Sequence, residues 1–402
     1  MIQFLFSCLF CLTIHAEPIK IHLVTTNDIH GVIGTQKANF MNPQYPPTIV
    51  GGAAFSNYID KLRIKSKKKT EGILILDGGN FFQGSPLGLS DDGKTMIEWM
   101  NRIGYDALVP GSYDFISGVS NLNLLSKKAI FPFLYSNLEC NNCSLTHSNI
   151  KPYIIENIAG VRVGILGIVN SNLNELVLAE NLYGVTTLKE VASVKKWIPE
   201  MKAKGAEVII VLTSSGVPWE RENEYEKFIA QVTSGRIDEN TSLNALQMAY
   251  FLDGVDFIVS GGNSKGYWLP WYDPHSHVYV MQGYGNGTEF SHIKLLIDEN
   301  SHLFMGYETV IDGKASQTLL ADDFQVNQDD QEWIKSKLKD ADLLNFKKSI
   351  SIADNFRTLK NLDRNDWDIP NINLPNSLEV ITWNCEFFPH ANDSTIIALA
   401  EA

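Results

Sequence analysis

Positive charge is scarce in this chain. Lys and Arg number 33 against 46 Asp and Glu over 402 residues, a formal net charge of −13. A surface of that sign repels phosphate backbones, which argues against non-specific nucleic-acid binding by the chain as a whole. The one dense basic run, Arg63-Ile-Lys-Ser-Lys-Lys-Lys-Thr70, is expected to be the solvated end of a helix. Low-complexity tracts and fixed-period repeats are absent, which excludes solenoids and propellers. After residue 16 no stretch approaches the roughly 20 apolar residues that a membrane helix needs, so no membrane partner is expected. Cysteine is rare, with five in all: Cys8, Cys11, Cys140, Cys143 and Cys385. A zinc site built on Cys140-Asn-Asn-Cys143 would need two more such ligands, and none lies nearby.

What is present begins with an apolar block. Ile2 to Ile14 is nearly continuous in Phe, Leu, Ile and Cys, and Ala16 supplies a small residue at its end. This is the shape of a signal-peptide core, although no Lys or Arg precedes it. The reading predicts a cleaved segment 1–16, removal of Cys8 and Cys11, and a secreted or periplasmic product. In that setting Cys140 and Cys143 are expected to form a disulfide, leaving Cys385 as a lone buried thiol.

From Ile19 to about Ile311, short Val/Ile/Leu-rich runs alternate with helical patterns. The runs at 21–26, 73–76, 131–135, 161–169, 208–212 and 257–260 show little apolar/polar alternation, as strands buried on both faces do. Ala53–Lys65, Met96–Ile103 and Leu188–Lys204 carry helical spacing. The alternation predicts an α/β sandwich with helices on both faces. Later runs at 278–281 and 292–297 lack intervening helices and are expected to add as antiparallel strands. Residues 321–377 read as a charged helix, Gln331–Lys348, and a linker rich in Asn, Asp and Pro. A fresh strand then opens at Leu378 and a helix pattern at Thr395, so the chain is expected to be a fragment of a longer protein.

In an open α/β sheet, functional groups gather past the carboxyl ends of the strands. Five such loops stand out: Thr26-Asn-Asp28-Ile-His30-Gly31, Asp77-Gly-Gly-Asn80-Phe-Phe-Gln-Gly84, Gly111-Ser112-Tyr113-Asp114, Thr213-Ser214-Ser215-Gly216 and Gly261-Gly-Asn263-Ser-Lys265-Gly266. The order Asp-x-His, Gly-Gly-x-Phe-x-Gln-Gly, Gly-Tyr-Asp-Ala…Gly-x-x-Asp-Phe and Gly-Gly-x-Ser-x resembles the 5′-nucleotidase branch of the calcineurin-like metallophosphoesterases, over roughly residues 19–312. The resemblance implies a four-layer α/β/β/α sandwich over residues 17–320. It also implies hydrolysis of phosphoesters of the nucleotide class, by two metal ions that share a bridging Asp and activate a hydroxide. Zn, Mn or Fe would suit such mixed ligands.

The same resemblance exposes departures. Asp28 and His30 match the first two metal ligands. Asn80 stands at the bridging Asp, Ser112 at an Asn ligand, Ser214 at a His ligand, and Asn263 and Lys265 at the two histidines of a Gly-His-x-His motif. Tyr113 replaces the His that stabilises the leaving group, and Asp114 keeps the acid that orients it. Two of seven ligand positions remain, so at most one metal is expected. His275 and His277 alternate along one stretch and are candidate extra ligands, with loop roles as the alternative.

Three functions stay open on these residues. One is a phosphoester hydrolase using one metal or a rearranged pair. The second is an inactive module that grips a phosphate-like small molecule through Lys265, Ser112, Ser214 and loop amides. The third is a structural partner for a C-terminal domain. In the tail, Ile381-Thr-Trp-Asn384 resembles the opening strand of an endonuclease/exonuclease/phosphatase domain, over residues 378–402.

Overall fold

The structure, a computed structural model, describes residues 17–145 and 149–342. The expected signal segment 1–16, the linker beyond residue 342, Cys385 and the nuclease-like tail lie outside the described residues.

The run Val208-Ile-Ile-Val-Leu-Thr213 shows why this sequence makes a sheet buried on both faces. Val208, Ile210 and Leu212 enter one apolar core and Ile209 and Val211 a second, each nearly inaccessible to water. Alternate side chains of a strand point to opposite faces, so a strand apolar at every position needs cover on both sides. Each such side chain contributes about 1.5–3 kcal/mol by leaving water.

In chain order the main strands are β1 (Ile19–Thr26), β2 (Glu71–Asp77), β3 (Ala107–Leu108), β4 (Phe133–Leu134), β5 (Ile150–Lys151), β6 (Tyr153–Ile158), β7 (Val161–Ile168), β8 (Val208–Thr213), β9 (Phe257–Ser260), β10 (Trp271–Tyr272), β11 (Tyr279–Met281), β12 (Glu289–Ile297), β13 (Phe304–Thr309) and β14 (Ser316–Thr318). The main helices are α1 (Gly52–Lys65), α2 (Lys94–Ile103), α3 (Glu190–Ala203), α4 (Arg221–Thr233) and α5 (Ala245–Tyr250). One sheet runs β13-β12-β1-β2-β3-β4-β5, with β14 also on β12. The other runs β10-β11-β9-β8-β7-β6. Ile21 and Leu23 share a core with Val163, Ile165 and Ile210, so the two sheets face each other. Ala54, Phe55 and Ile59 of α1 and Met96 and Met100 of α2 cover the first sheet. Val191 and Val194 of α3, Phe228 of α4 and Met248 of α5 cover the second. This is the expected α/β/β/α layering.

The segment at 278–281 corrects one expectation. Its strand β11 pairs parallel to β9, not antiparallel. The antiparallel partner is β10, which returns the chain to the amino end of the sheet before β11 sets out again. The strand of residues 292–297, here β12, does run antiparallel to β1. Packing also continues past residue 320. A helix covers residues 328–342, and its Ile334 and Ala341 belong to the main core.

β1, β2, β3 and β4 are mutually parallel, as are β7, β8, β9 and β11. The loops after β2 and β9 abut so closely that a Cβ on Gly78 would sit 2.7 Å from the Gly261 nitrogen. That contact brings the carboxyl ends of both sheets to one place.

Candidate functional site

Asp28 follows β1 at the centre of this place and is 1% exposed. Its Oδ1 accepts the Asn80 amide Nδ2 at 2.7 Å, and its Oδ2 accepts the Asn27 amide at 2.8 Å. The Gly262 backbone N–H lies 3.1 Å from both oxygens. Gly262 has φ +102, and a Cβ there would fall 2.1 Å from the Ser214 carbonyl oxygen, so the amide reaches Asp28 because the residue has no side chain. Burial pushes the Asp28 carboxyl above its ordinary range, against the opposing hydrogen bonds from Asn27 and Asn80.

Asp28, His30 and Asn80 all hold positive φ, at 48°, 53° and 56°. Non-glycine residues in this region store strain, and such strain clusters at functional sites. Asn80 is fixed at every polar side-chain atom and at its N–H. The N–H donates to Asp114 at 2.7 Å, Oδ1 accepts the Tyr113 N–H at 3.0 Å, and Nδ2 is committed to Asp28.

His30 places Nδ1 2.6 Å from the Gln83 carbonyl oxygen. A carbonyl only accepts, so Nδ1 carries the proton in the neutral ring and Nε2 carries the lone pair. The Tyr113 ring meets His30 edge-on, with centroids 5.2 Å apart. Tyr113 is 50% exposed and opens the site to solvent.

Asp114 does something the sequence did not show. Wholly buried, it accepts the N–H groups of Asn80 and Gly111 on one oxygen and of Phe81 on the other, at 2.7, 2.9 and 3.0 Å. It clamps two loops together, and no imidazole remains for it to orient. Burial raises its carboxyl to about 7 in spite of those donors. Asp77 is the third buried acid, held by the Thr26 hydroxyl at 2.6 Å and the Gly79 N–H at 2.9 Å, and burial raises its pKa strongly.

The substituted positions lie on the loops that follow these strands. Ser112 begins a single 3₁₀ turn, Ser112–Phe115, beside Tyr113. Ser214 is 3% exposed, and among the described residues its hydroxyl has no hydrogen-bond partner. Asn263 turns away and donates to the Val217 carbonyl at 2.9 Å. Lys265 points its ammonium over three rings, Trp219 at 4.7 Å, Tyr284 at 5.6 Å and Tyr267 at 5.8 Å. Among the described residues no carboxylate forms an ion pair with it.

His275 and His277 are not brought here. They precede β11, at the amino end of its sheet, while the site lies at the carboxyl ends. His275 stacks on Tyr250 with centroids 4.2 Å apart, and His277 hydrogen-bonds the Tyr272 hydroxyl. Cys140 and Cys143 form the expected disulfide.

Two metals fit this donor set poorly. Metal ligands must present lone pairs, and here amide N–H groups occupy the Asp28 oxygens that would face an ion. Among the described residues no three His, Cys, Asp or Glu side chains converge as a ligand set. Asn27, Gln83, Trp219 and Tyr284 were not singled out from the sequence. Asn27 and Gln83 at least sit inside the motif loops, whereas nothing local marks Trp219 and Tyr284.

No family model matches the chain. Individual relatives do. It is 27% identical to a 5′-nucleotidase of Vibrio cholerae over 198 residues, which is 49% of this chain and 34% of that protein. It is 24% identical to a 5′-nucleotidase of Bos taurus over 292 residues, 72% of this chain and 48% of that one. The chain thus spans between a third and a half of these relatives' length. Among solved structures, a 5′-nucleotidase precursor from Thermus thermophilus superposes with TM-score 0.64 at 21% identity, covering 80% of this chain and 58% of that one. The calcineurin-like phosphoesterase YfkN from Bacillus subtilis does so with TM-score 0.60 at 21% identity, over 82% of this chain and 99% of that one. Motif order, sequence relatives and fold agree in their likeness to the 5′-nucleotidase branch of the calcineurin-like metallophosphoesterases.

Proposed function

We propose that this chain recognises a phosphoester of the nucleotide class at the site between Asp28 and Lys265, and that it does so without a two-metal hydrolytic centre. The observation that carries this reading is the Asn80 amide. A carboxylate at that position would offer lone pairs to two ions, whereas the amide offers Asp28 an N–H at 2.7 Å. The ammonium of Lys265 and the hydroxyl of Ser214, both without an ion-pair or hydrogen-bond partner among the described residues, are the groups left to meet an anion. The Gly262 amide is not among them, because Asp28 uses it.

A second reading, a phosphoester hydrolase with one metal, is favoured by His30. Its Nδ1 bond to the Gln83 carbonyl leaves Nε2 free, which is the tautomer that metal-bound histidines use. Zn, Mn or Fe would be the ion. The apolar block at residues 1–16 supports an exported protein, as does the Cys140–Cys143 disulfide. No helix of the described residues is long and apolar enough to cross a membrane.

Metal content of the purified chain, measured by elemental mass spectrometry after incubation with Mn, Zn and Fe, decides between the two readings. The proposal expects less than about a tenth of an equivalent under each condition. One or more tightly held ions, lost on Asp28→Ala, together with phosphoester turnover, would overturn it in favour of the hydrolase.

A further inference from the structure

A cavity of about 1060 Å³ opens beside α1, bordered by the start of β12, by β14 and by the chain that follows β14. That volume suits an organic ligand of several rings. Aromatic rings wall it, among them Tyr58, Phe324 and Trp268, the last 65% exposed. β12 and β14 pair Glu289 with Thr318 and Ser291 with Ser316, so these four side chains share one face of the ladder. Glu289, Ser316 and Thr318 line the cavity. The Thr318 hydroxyl donates to Glu289 Oε1 at 2.6 Å, whereas Oε2 has no hydrogen-bond partner among the described residues. Burial raises the Glu289 carboxyl above its ordinary range, and the Ser316 hydroxyl is near enough to favour the charged form without bonding it. Ser316 is 4% exposed and Ser291 is wholly buried, and among the described residues neither hydroxyl has a partner. Buried polar groups in folded proteins are rarely left so, and each calls for a ligand or an ordered water.

Charge narrows the occupant. The carboxylates of Glu289, Asp312, Asp322 and Asp323 border the cavity and repel an anion. The lysines that border it are already held, Lys61 by the Gln325 side-chain carbonyl at 2.8 Å and Lys314 over the Trp268 ring at 4.4 Å. Hydrogen-bond chemistry narrows it further. Glu289 Oε2 as a carboxylate oxygen only accepts, whereas a serine hydroxyl both donates and accepts. An ammonium cannot accept the serine proton, and a fully ionised anion cannot donate to Glu289. An alcohol does both. We propose that this cavity binds a neutral saccharide, whose hydroxyls meet Glu289 and Ser316 and whose C–H faces lie against the aromatic walls. The saccharide site is independent of the anion reading above, although Tyr284 borders both places.

Isothermal titration of the full chain with maltotriose, cellotriose, mannotriose and galactotriose tests the assignment. At least one of them should bind with a Kd of about 1 mM or tighter. Glu289→Gln and Ser316→Ala should each weaken that binding about tenfold. Trp268→Ala, at the exposed rim where the fold is not at risk, should weaken it as well. No binding of any of the four, or an affinity unmoved by Glu289→Gln and Trp268→Ala alike, would overturn the saccharide site. Tighter binding of phenethylamine or benzoate than of every trisaccharide would overturn it in favour of a charged ligand. Inorganic phosphate should not compete with the bound trisaccharide, and competition would overturn the separateness of the two sites. Circular dichroism of each variant separates a lost site from a lost fold.

Discussion

At Asn80 a single atom decides the chemistry. An Asp there would set a second buried carboxylate 2.7 Å from Asp28, with nothing cationic between them. Asn instead donates, and Asp28 becomes one acceptor inside a closed set of hydrogen bonds. Asn80→Asp should therefore destabilise the metal-free chain by about 2 kcal/mol, because it removes a buried bond to a charged group and adds like charge. Urea unfolding measures this, and Mn or Zn should recover part of the loss only in the variant. An unchanged midpoint without metal would mean that Asn80 does not hold Asp28 as described. Which positions form the site was legible in the sequence, since strand-end loops rich in Gly, Asp and Asn point to one place. The direction of each hydrogen bond was not, because it depends on partners such as Asn27 and Gly262 that converge only in the fold. For the same reason Asp114 reads in sequence as an orienting acid and in structure as a clamp on three backbone N–H groups.

Two histidines join the first sheet to its covering helix. His22 of β1 and His292 of β12 are 270 positions apart in the chain, yet Nδ1 of one lies 2.9 Å from Nε2 of the other. The Tyr58 hydroxyl of α1 meets His292 at 2.6 Å, and the Ser66 hydroxyl after α1 meets His22 at 3.2 Å. Two neutral rings fill this chain of four groups without conflict, since each offers one N–H and one lone pair. A proton added to one ring is still accommodated, because the hydroxyl oxygens can accept; a proton on each ring sets two N–H groups and two like charges face to face. Burial lowers His22 to about 4 and His292 to about 3, from an ordinary value of 6.5. The unfolded chain then takes up protons first as pH falls. Stability contributed by the pair is complete above pH 6.5, declines between there and about 3, and levels off below the folded values, with a slope of up to about 1.4 kcal/mol per pH unit for each group. Asp106 and Asp256, raised by burial to about 6, work in the opposite sense over the same window. The informative quantity is therefore a difference. His292→Phe should make the acid-side fall in melting temperature between pH 6.5 and 4 shallower than in the parent, whatever it does to stability at pH 7. Equal slopes would show that the pair does not titrate as a unit. Sequence reading could not find this relay, because a lone His in an apolar strand looks the same whether or not a second one faces it.

Across the whole molecule, the core extends beyond the change in composition near residue 320. That change is genuine, since Asp322-Asp-Phe-Gln-Val-Asn-Gln-Asp-Asp330 is acidic and polar where the preceding strands are apolar. Texture, however, reports solvent exposure and not chain membership. The helix of residues 328–342 turns its polar face outward and lays Ile334 and Ala341 into the core that also holds α1 and α2. Its first turn is pinned by Asp330, which is 6% exposed and takes hydrogen bonds from Arg102 of α2 and Ser56 of α1. The Arg102 guanidinium also lies over the Trp333 ring at 5.0 Å. Such a staple makes the helix part of the cooperative unit, although the sequence reads it as a charged helix lying beyond the domain and ahead of a linker. Ile334→Ala should then cost about 2–4 kcal/mol, as buried large-to-small changes in a shared core do, and should lower the single unfolding transition seen by both near-ultraviolet and far-ultraviolet circular dichroism. If residues 328–342 were a separate segment, the substitution would leave the main transition in place and change only the far-ultraviolet baseline. That result would put the end of the domain back near residue 320, where composition alone had set it.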